Sequence, residues 1–305
     1  MKKNKKQQIK SRYRIPFLVF AVAPPVLMFL VFYVYTNFSS ILMAFTDRHG
    51  VISLENFARF FREFQIPTSE IRIAFKNTFL TFVILLLAYP FKVLVSYFIY
   101  KKVPFAGFYR IVFFLPSIIF SVAINMIFLR MIGPEGIIAH GVRNWMGLDY
   151  SPELLSDGRF ANVVILLQML WLGFPGDLIL WGGTFARIPE EVLEAGYIDG
   201  TTWRSEFTRI IAPMVWPTVS LQMILMFCGI FSTTGNVFLL TKGQYGTMTL
   251  SAWLQIFMLQ NSGAKYSSNA YNYMSAIGLI LTVVAITIGL CVRRITNKMF
   301  QDVEY

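Results

Sequence analysis

The residues of this chain that could bind or conduct a solute are polar groups set inside, or at the edge of, long apolar runs: Asn125, Gln168, Asp177, Gln222, Thr233 and Asn236. Polar side chains are costly in an apolar medium, so each position is a candidate for a path through it. Amides and hydroxyls suit a solute rich in hydroxyl groups, and the rings of Trp171, Phe227, Phe231 and Tyr273 could stack on its faces. Hydrogen bonding between helices is the competing role for every one of these polar groups. Asp177 is the sharpest candidate because it follows Gly173-Phe174-Pro175-Gly176, a segment expected to bend or unwind. It could face a water-filled path, meet a partner chain, or lie in solvent at a membrane surface.

Little else in the sequence suggests covalent chemistry. His49 and His140 stand isolated in predicted loops, where they read as solvated. Cys228 and Cys291 lie inside apolar runs without metal-ligand spacing and read as buried small hydrophobes. No Gly-x-x-x-x-Gly-Lys-Ser/Thr loop occurs, so the chain itself is expected to bind neither ATP nor another cofactor, and no metal site is expected. A membrane-embedded enzyme built on Asp177 is a competing reading. A secondary transporter would call for inverted repeats and several intramembrane charges, which the sequence does not display.

The surrounding elements follow from composition. The 305 residues are 56% hydrophobic and 14% charged, whereas soluble proteins average about 25% charged residues. The charges cluster between long uncharged runs, the pattern of a polytopic membrane protein. The net charge of +11 does not point to nucleic acid, because seven basic residues (Lys2, Lys3, Lys5, Lys6, Lys10, Arg12 and Arg14) precede the first apolar run and form a membrane-orienting flank. Ile15 to Thr46 is too long for the apolar part of a signal peptide, and Ala21-Val22-Ala23 comes too early to be its cleavage site. An uncleaved first span is therefore expected.

About 20 apolar residues cross a bilayer as a helix. Six stretches qualify: Pro16 to Phe45, kinked by Pro24 and Pro25; Phe75 to Tyr100, with Lys92 near one end where it can snorkel; Ile111 to Leu129; Phe160 to Phe185; Pro213 to Thr234; and Tyr271 to Val292. The fold class is all-α with six transmembrane helices. With the N-terminus inside, sixteen Lys and Arg residues fall on the cytoplasmic side and nine outside, so both termini and the connection between the fourth and fifth spans are expected to be cytoplasmic. Two outer connections, Thr46 to Ile73 and Gly133 to Arg159, are long enough to fold against a partner. In the third, Ser251 to Leu259 reads either as a short interfacial helix or as a plain loop.

The connection from Arg187 to Pro217 is the most informative segment. Pro189 suits the first position of a helix, Glu190 and Glu191 suit its first turn, and Gly200 can take the left-handed conformation that ends it. A second helix can start near Thr201 or Thr202. Five acids (Glu190, Glu191, Glu194, Asp199 and Glu206) against Arg187, Arg204 and Arg209 make the loop net acidic, which suits a protein partner better than anionic headgroups. An ordinary solvated connector is the alternative.

Glu194, Ala195, Gly196, then Gly200, then Ile210, Ala212 and Pro213 resemble the EAA motif of permeases from binding-protein-dependent ABC importers, with every spacing kept. Asp199, Trp203, Phe207 and Pro217 match the sugar-permease version. Gly196 replaces an Ala, Ala212 a Leu, and Thr201 an Ala. The resemblance covers about Ile73 to Val292. It implies the type-1 transmembrane fold over 73–292, preceded by a basic segment 1–15 and a first helix with its outer loop 16–72, and followed by a tail 293–305. It further implies that the loop 187–213 is a coupling element that docks on an ATPase. The residues concerned are Glu190, Glu191, Glu194, Ala195, Gly196, Asp199, Gly200, Trp203, Phe207, Ile210 and Pro213. The partners it implies are an ATP-binding cassette dimer carrying ATP-Mg, a second and different permease chain, an extracytoplasmic solute-binding protein and membrane lipid. The expected role is that of a non-enzymatic subunit in a bacterial plasma membrane that moves a carbohydrate, an oligosaccharide first, or else a solute of another class.

Overall fold

The computed structural model describes residues 16–158, 160–232, 236–261 and 267–299. Among them the chain is helical, with one isolated bridge between Thr46 and Ile52. The helices are α1 (Pro16–Ala44), α2 (Glu55–Gln65), α3 (Glu70–Tyr100), α4 (Ala106–Ile118), α5 (Ser121–Ile132), α6 (Ile137–Met146), α7 (Ala161–Phe185), α8 (Glu190–Ile198), α9 (Trp203–Cys228), α10 (Val237–Leu240), α11 (Leu250–Asn261) and α12 (Ser267–Met299). Six stretches are long and apolar enough to cross a membrane: α1, α3, α5 with α6, α7, α9 and α12. Helices suit this role because every backbone group within a bilayer must be satisfied inside its own segment.

Three expected spans are corrected. The third is broken: α4 ends at Ile118, Ile119 is extended (ψ 136°), and α5 restarts at Ser121. Pro116 withdraws a backbone donor there, and the Ser117 hydroxyl bonds to the Phe114 carbonyl at 2.7 Å, competing for an acceptor of the last turn. The fifth begins ten residues early, at Trp203, and ends at Cys228, with a π-helical stretch over Glu206–Ile211. The sixth extends from Ser267 to Met299. Gly173–Gly176 does not unwind; α7 runs through Pro175 without interruption.

The chain divides into two compact units. The first is Met1–Arg62 with Asn261–Ile280. In it the connection after α1 is ordered by side chains. Asn56, 4% exposed, donates to the carbonyls of Ala44 at 3.2 Å and Thr46 at 2.9 Å. The Asp47 carboxylate accepts from the backbone N–H groups of His49 at 2.8 Å and Val51 at 3.0 Å, and the Val51 bond foremost holds its pKa below the ordinary carboxylate value. Tyr273, fully buried, lies under the Arg59 guanidinium at 4.1 Å and is not open to a solute.

The second unit is Glu63–Gln260 with Leu281–Tyr305. Its main apolar cluster joins three helices: Tyr89, Val93 and Tyr97 of α3; Trp181 and Phe185 of α7; and Ile211 and Val215 of α9, with Ile188 beside them. The expected helix over Ser251 to Leu259 forms as α11. It is held against α3 rather than lying free, with Trp253 buried and its Nε1 donating to Glu70 Oε2 at 3.2 Å. Cys228 and Cys291 are exposed, not buried. Such exposure is ordinary for small apolar side chains on helices whose natural surroundings are lipid or another chain.

Candidate functional site

The segment 187–213 is a helix, a glycine corner and a second helix. Pro189 is the N-cap of α8 rather than its first helical residue, with φ −59° and ψ 135°. Glu190 and Glu191 occupy the first turn, where the helix dipole favours them. The helix ends in a Schellman motif. Gly200 has φ +73°, its N–H bonds to the Tyr197 carbonyl at 3.1 Å, and the Thr201 N–H reaches back to the Gly196 carbonyl at 3.1 Å. The Thr201 hydroxyl donates to that same carbonyl at 2.8 Å. Thr202 then caps α9, its hydroxyl accepting from the Ser205 N–H at 3.5 Å.

This geometry accounts for the motif spacing. Gly196 is buried against the second helix, and a Cβ added to it would lie 2.7 Å from Ile210 Cδ1 and 3.4 Å from Thr201 Oγ1. Gly200 meets no such obstacle; its requirement is the positive φ. Gly196, Gly200 and Ile210 thus close one corner, with Ile210 filling the space that an alanine side chain would take.

The expected docking residues separate into two faces. Glu190, Glu191, Glu194, Ala195, Asp199 and Gly200 are exposed, and Trp203 is 46% exposed. Phe207 turns inward onto Tyr97, with ring centroids 5.2 Å apart. Ile210 packs on Gly196, and Pro213 is half-buried in α9. Trp203 also meets Phe98 at 5.3 Å. Glu206 is not part of the acidic outer surface; it pairs with Lys101 at 2.5 Å, its side chain 14% exposed. Tyr197 and Ile198, which sequence reasoning did not single out, are each 83% exposed. Ile198 lies opposite the face formed by Leu193 and Gly196, a helical phase that could have found it; Tyr197, four residues after Leu193, is exposed at the last turn before the corner, and no spacing marks it. The loop therefore presents an apolar pair flanked by carboxylates while its inner face is bolted to α3, α7 and α9.

The polar residues of the apolar runs form two groups. Gln168, 1% exposed, donates to Asn125 Oδ1 at 2.9 Å and accepts from Asn236 Nδ2 at 3.3 Å; Asn125 donates to the Ser121 carbonyl at 2.7 Å. The three amides satisfy one another between α5, α7 and the turn before α10, the helix-joining role. Gln222 is half-buried on α9 and apart from them. Thr233 lies outside the described residues. Of the proposed stacking rings, Trp171 packs toward Phe128 at 6.4 Å, Phe227 against Phe82 at 4.9 Å and Phe231 against Phe75 at 5.8 Å.

The second group is ionic. Asp177 of α7 accepts from Lys92 of α3 at 2.8 Å, the side chains 19% and 13% exposed. Lys92 does not snorkel: it sits eight residues before the end of α3, about 12 Å along the axis. Beside the pair, Tyr89 and Trp181 pack with centroids 6.0 Å apart, their Oη and Nε1 buried without a protein hydrogen-bond partner. A charge pair with two spare donors is a polar core between the spans, and Tyr89 and Trp181 join it to the cluster that anchors the loop.

Among the described residues, six spans long and apolar enough to cross a bilayer, with a folded helix–corner–helix loop between the fourth and fifth, define a multi-pass membrane protein. No family model matches the chain. It is 26% identical over 184 residues to the multiple sugar-binding transport system permease protein MsmF of Streptococcus mutans, covering 60% of this chain and 61% of that one. It is 25% identical over 211 residues to the galactooligosaccharides transport system permease protein GanP of Bacillus subtilis, covering 66% and 49%. The chain thus spans about half to three-fifths of the length of these two relatives. In fold it matches a chain of a bacterial alginate ABC transporter crystallised with an alginate pentasaccharide-bound periplasmic protein, with a TM-score of 0.79, 20% identity, and 97% and 100% of the two chains covered. The chain is thus similar in sequence to sugar transport permeases over about two thirds of its length and shares the fold of a chain of an alginate ABC transporter.

Proposed function

We propose that this chain is one permease subunit of an ATP-driven importer for carbohydrate, oligosaccharides first, with the 187–213 loop docking on a separate ATPase. The observation that carries the reading is the loop's division of faces. Trp203, Phe207, Ile210 and Glu206 tie it to the membrane helices, while Tyr197, Ile198, Glu194 and Asp199 are left outward for a partner. A rigidly attached knob can move the spans when the partner beneath it changes shape, provided it binds the partner's two states differently. The basic flanks support a cytoplasmic position for this loop and for both termini. The relatives' sugar-transport names support a carbohydrate cargo. A second permease chain, an ATPase dimer carrying ATP-Mg and an extracytoplasmic binding protein complete the proposed assembly, and hydrolysis takes place on the ATPase.

The test is uptake into vesicles carrying the full complex. Gly200→Pro forces φ away from +73° and removes the N–H that Tyr197 accepts, so it breaks the corner. Glu194→Lys reverses an exposed charge of the docking face. Both should uncouple ATP hydrolysis from uptake while membrane insertion is kept. Normal ATP-driven uptake in both would refute the docking role, and ATP hydrolysis by the pure chain alone would refute the division of labour.

A further inference from the structure

A groove of about 390 Å³ opens between the loop-side ends of α3, α4 and α7. Its walls are apolar, with Ile99, Phe114, Leu178 and Ile179 along it, and Gly182 leaves it open: a Cβ there would meet nothing within 4 Å. Arg110 stands at its rim, and its Nη2 donates to the Ile99 carbonyl at 3.2 Å. That bond uses one of five guanidinium N–H groups and adds a second donor to a carbonyl that also accepts from the Lys102 N–H at 3.3 Å. Lys102 and Arg187 are exposed at the ends of the same two helices, and neither has an ion-pair partner among the described residues. The groove occupies the last turns of α3 and α7, about 12 Å or less from the helix ends, the depth at which headgroups give way to acyl chains.

We propose that this groove binds an anionic phospholipid, with an acyl chain along Ile99, Phe114 and Leu178 and the headgroup phosphate on Arg110, flanked by Lys102 and Arg187. The assignment to lipid follows from this combination: an apolar trough at membrane depth and a cationic rim where a phosphate would lie. Two helix C-termini converge here with partial negative charge, offset by the N-terminal end of α4 and exceeded by the three cations. Arg110, already oriented by the Ile99 carbonyl, offers its remaining fork to two phosphate oxygens.

Native mass spectrometry of the full chain, purified in mild detergent and titrated with phosphatidylglycerol or with diacylglycerol of matched acyl chains, which lacks the phosphate, tests this. The unaltered chain should retain phosphatidylglycerol about tenfold more tightly, the worth of one charge-assisted contact. Arg110→Gln should remove that preference while diacylglycerol binding stays, and Gly182→Leu, which fills the trough, should lower retention of both lipids. Equal retention of the two lipids by the unaltered chain overturns the proposal without recourse to any variant. It is also overturned if Arg110→Gln keeps the preference, or if Gly182→Leu binds phosphatidylglycerol as well as the unaltered chain does.

Discussion

Removing one partner of the Lys92–Asp177 pair should cost far more than removing both. The charges are 2.8 Å apart with side chains 13% and 19% exposed. At an effective dielectric of 20 their attraction is about 6 kcal/mol, and the desolvation of two ions offsets most of it. The pair is thus close to neutral in net stability. Lys92→Met alone leaves the carboxylate beside Tyr89 and Trp181 with no cation, and Asp177→Leu alone leaves an ammonium against an apolar wall of Phe91, Val95 and Phe174. Each single variant should lose about 3–5 kcal/mol, on the order of 10 °C in thermal midpoint, while the double variant should return to within about 2 kcal/mol of the original. Thermal unfolding of the purified chain in detergent, read as a double-mutant cycle, measures the coupling. If the double variant is as unstable as the sum of the singles, or if the singles are neutral, the pair is not the buried ionic joint described above.

Three further outcomes are expected. Tyr197→Ser with Ile198→Ser should weaken association with the partner ATPase by about 100-fold or more in a pull-down titration, because each residue is 83% exposed in the free chain and burial of such a side chain contributes about 1.5–3 kcal/mol. Gly196→Ala, which restores the usual motif residue, gains up to about 1 kcal/mol of helix propensity but places its Cβ at 2.7 Å from Ile210 Cδ1. The added Ile210→Val should therefore make Gly196→Ala stabilising, seen as a higher thermal midpoint than for Ile210→Val alone. Phe207→Ala should leave ATPase binding within about twofold yet reduce uptake per ATP hydrolysed, since Phe207 faces Tyr97 rather than the docking surface.

Much of this architecture was legible because lipid imposes simple demands. Long apolar runs could only be helices, and Gly200 followed by a threonine cap could only be a corner. The broken third span was not legible: Ile111 to Leu129 is uniformly apolar, and the break comes from how Pro116 and Ser117 share carbonyls within one turn. Nor was the ion pair. Lys92 and Asp177 are 85 residues apart, and only the packing of α3 on α7 reveals that each answers the other. The amides Asn125, Gln168 and Asn236 stood out in the sequence as candidates for a solute path, but their mutual satisfaction depends on three-dimensional register that no spacing encodes. In the docking loop the motif residues were found by type and interval, whereas Tyr197 and Ile198 were overlooked because apolar residues draw no notice in a chain that is 56% hydrophobic.

The two polar features and the loop belong to one mechanical arrangement. Ile188 and Leu193 enter the same cluster as Tyr97, Phe185 and Ile211, so the loop's packed face is continuous with the loop-side thirds of α3, α7 and α9. Lys92–Asp177 and Tyr89–Trp181 lie next along α3 and α7, locking those two helices about 12 Å from their ends. A displacement applied at Tyr197 and Ile198 therefore cannot be absorbed between α3 and α7; it must be passed on as movement of the pair together. The one place in this path where helical geometry changes is the π-helical stretch Glu206–Ile211 of α9, which joins the corner to the fifth span. Lys101–Glu206 and Tyr97–Phe207 clamp the start of that stretch to α3, so its first turn follows α3. Relative motion, where it occurs, falls to the remainder of α9.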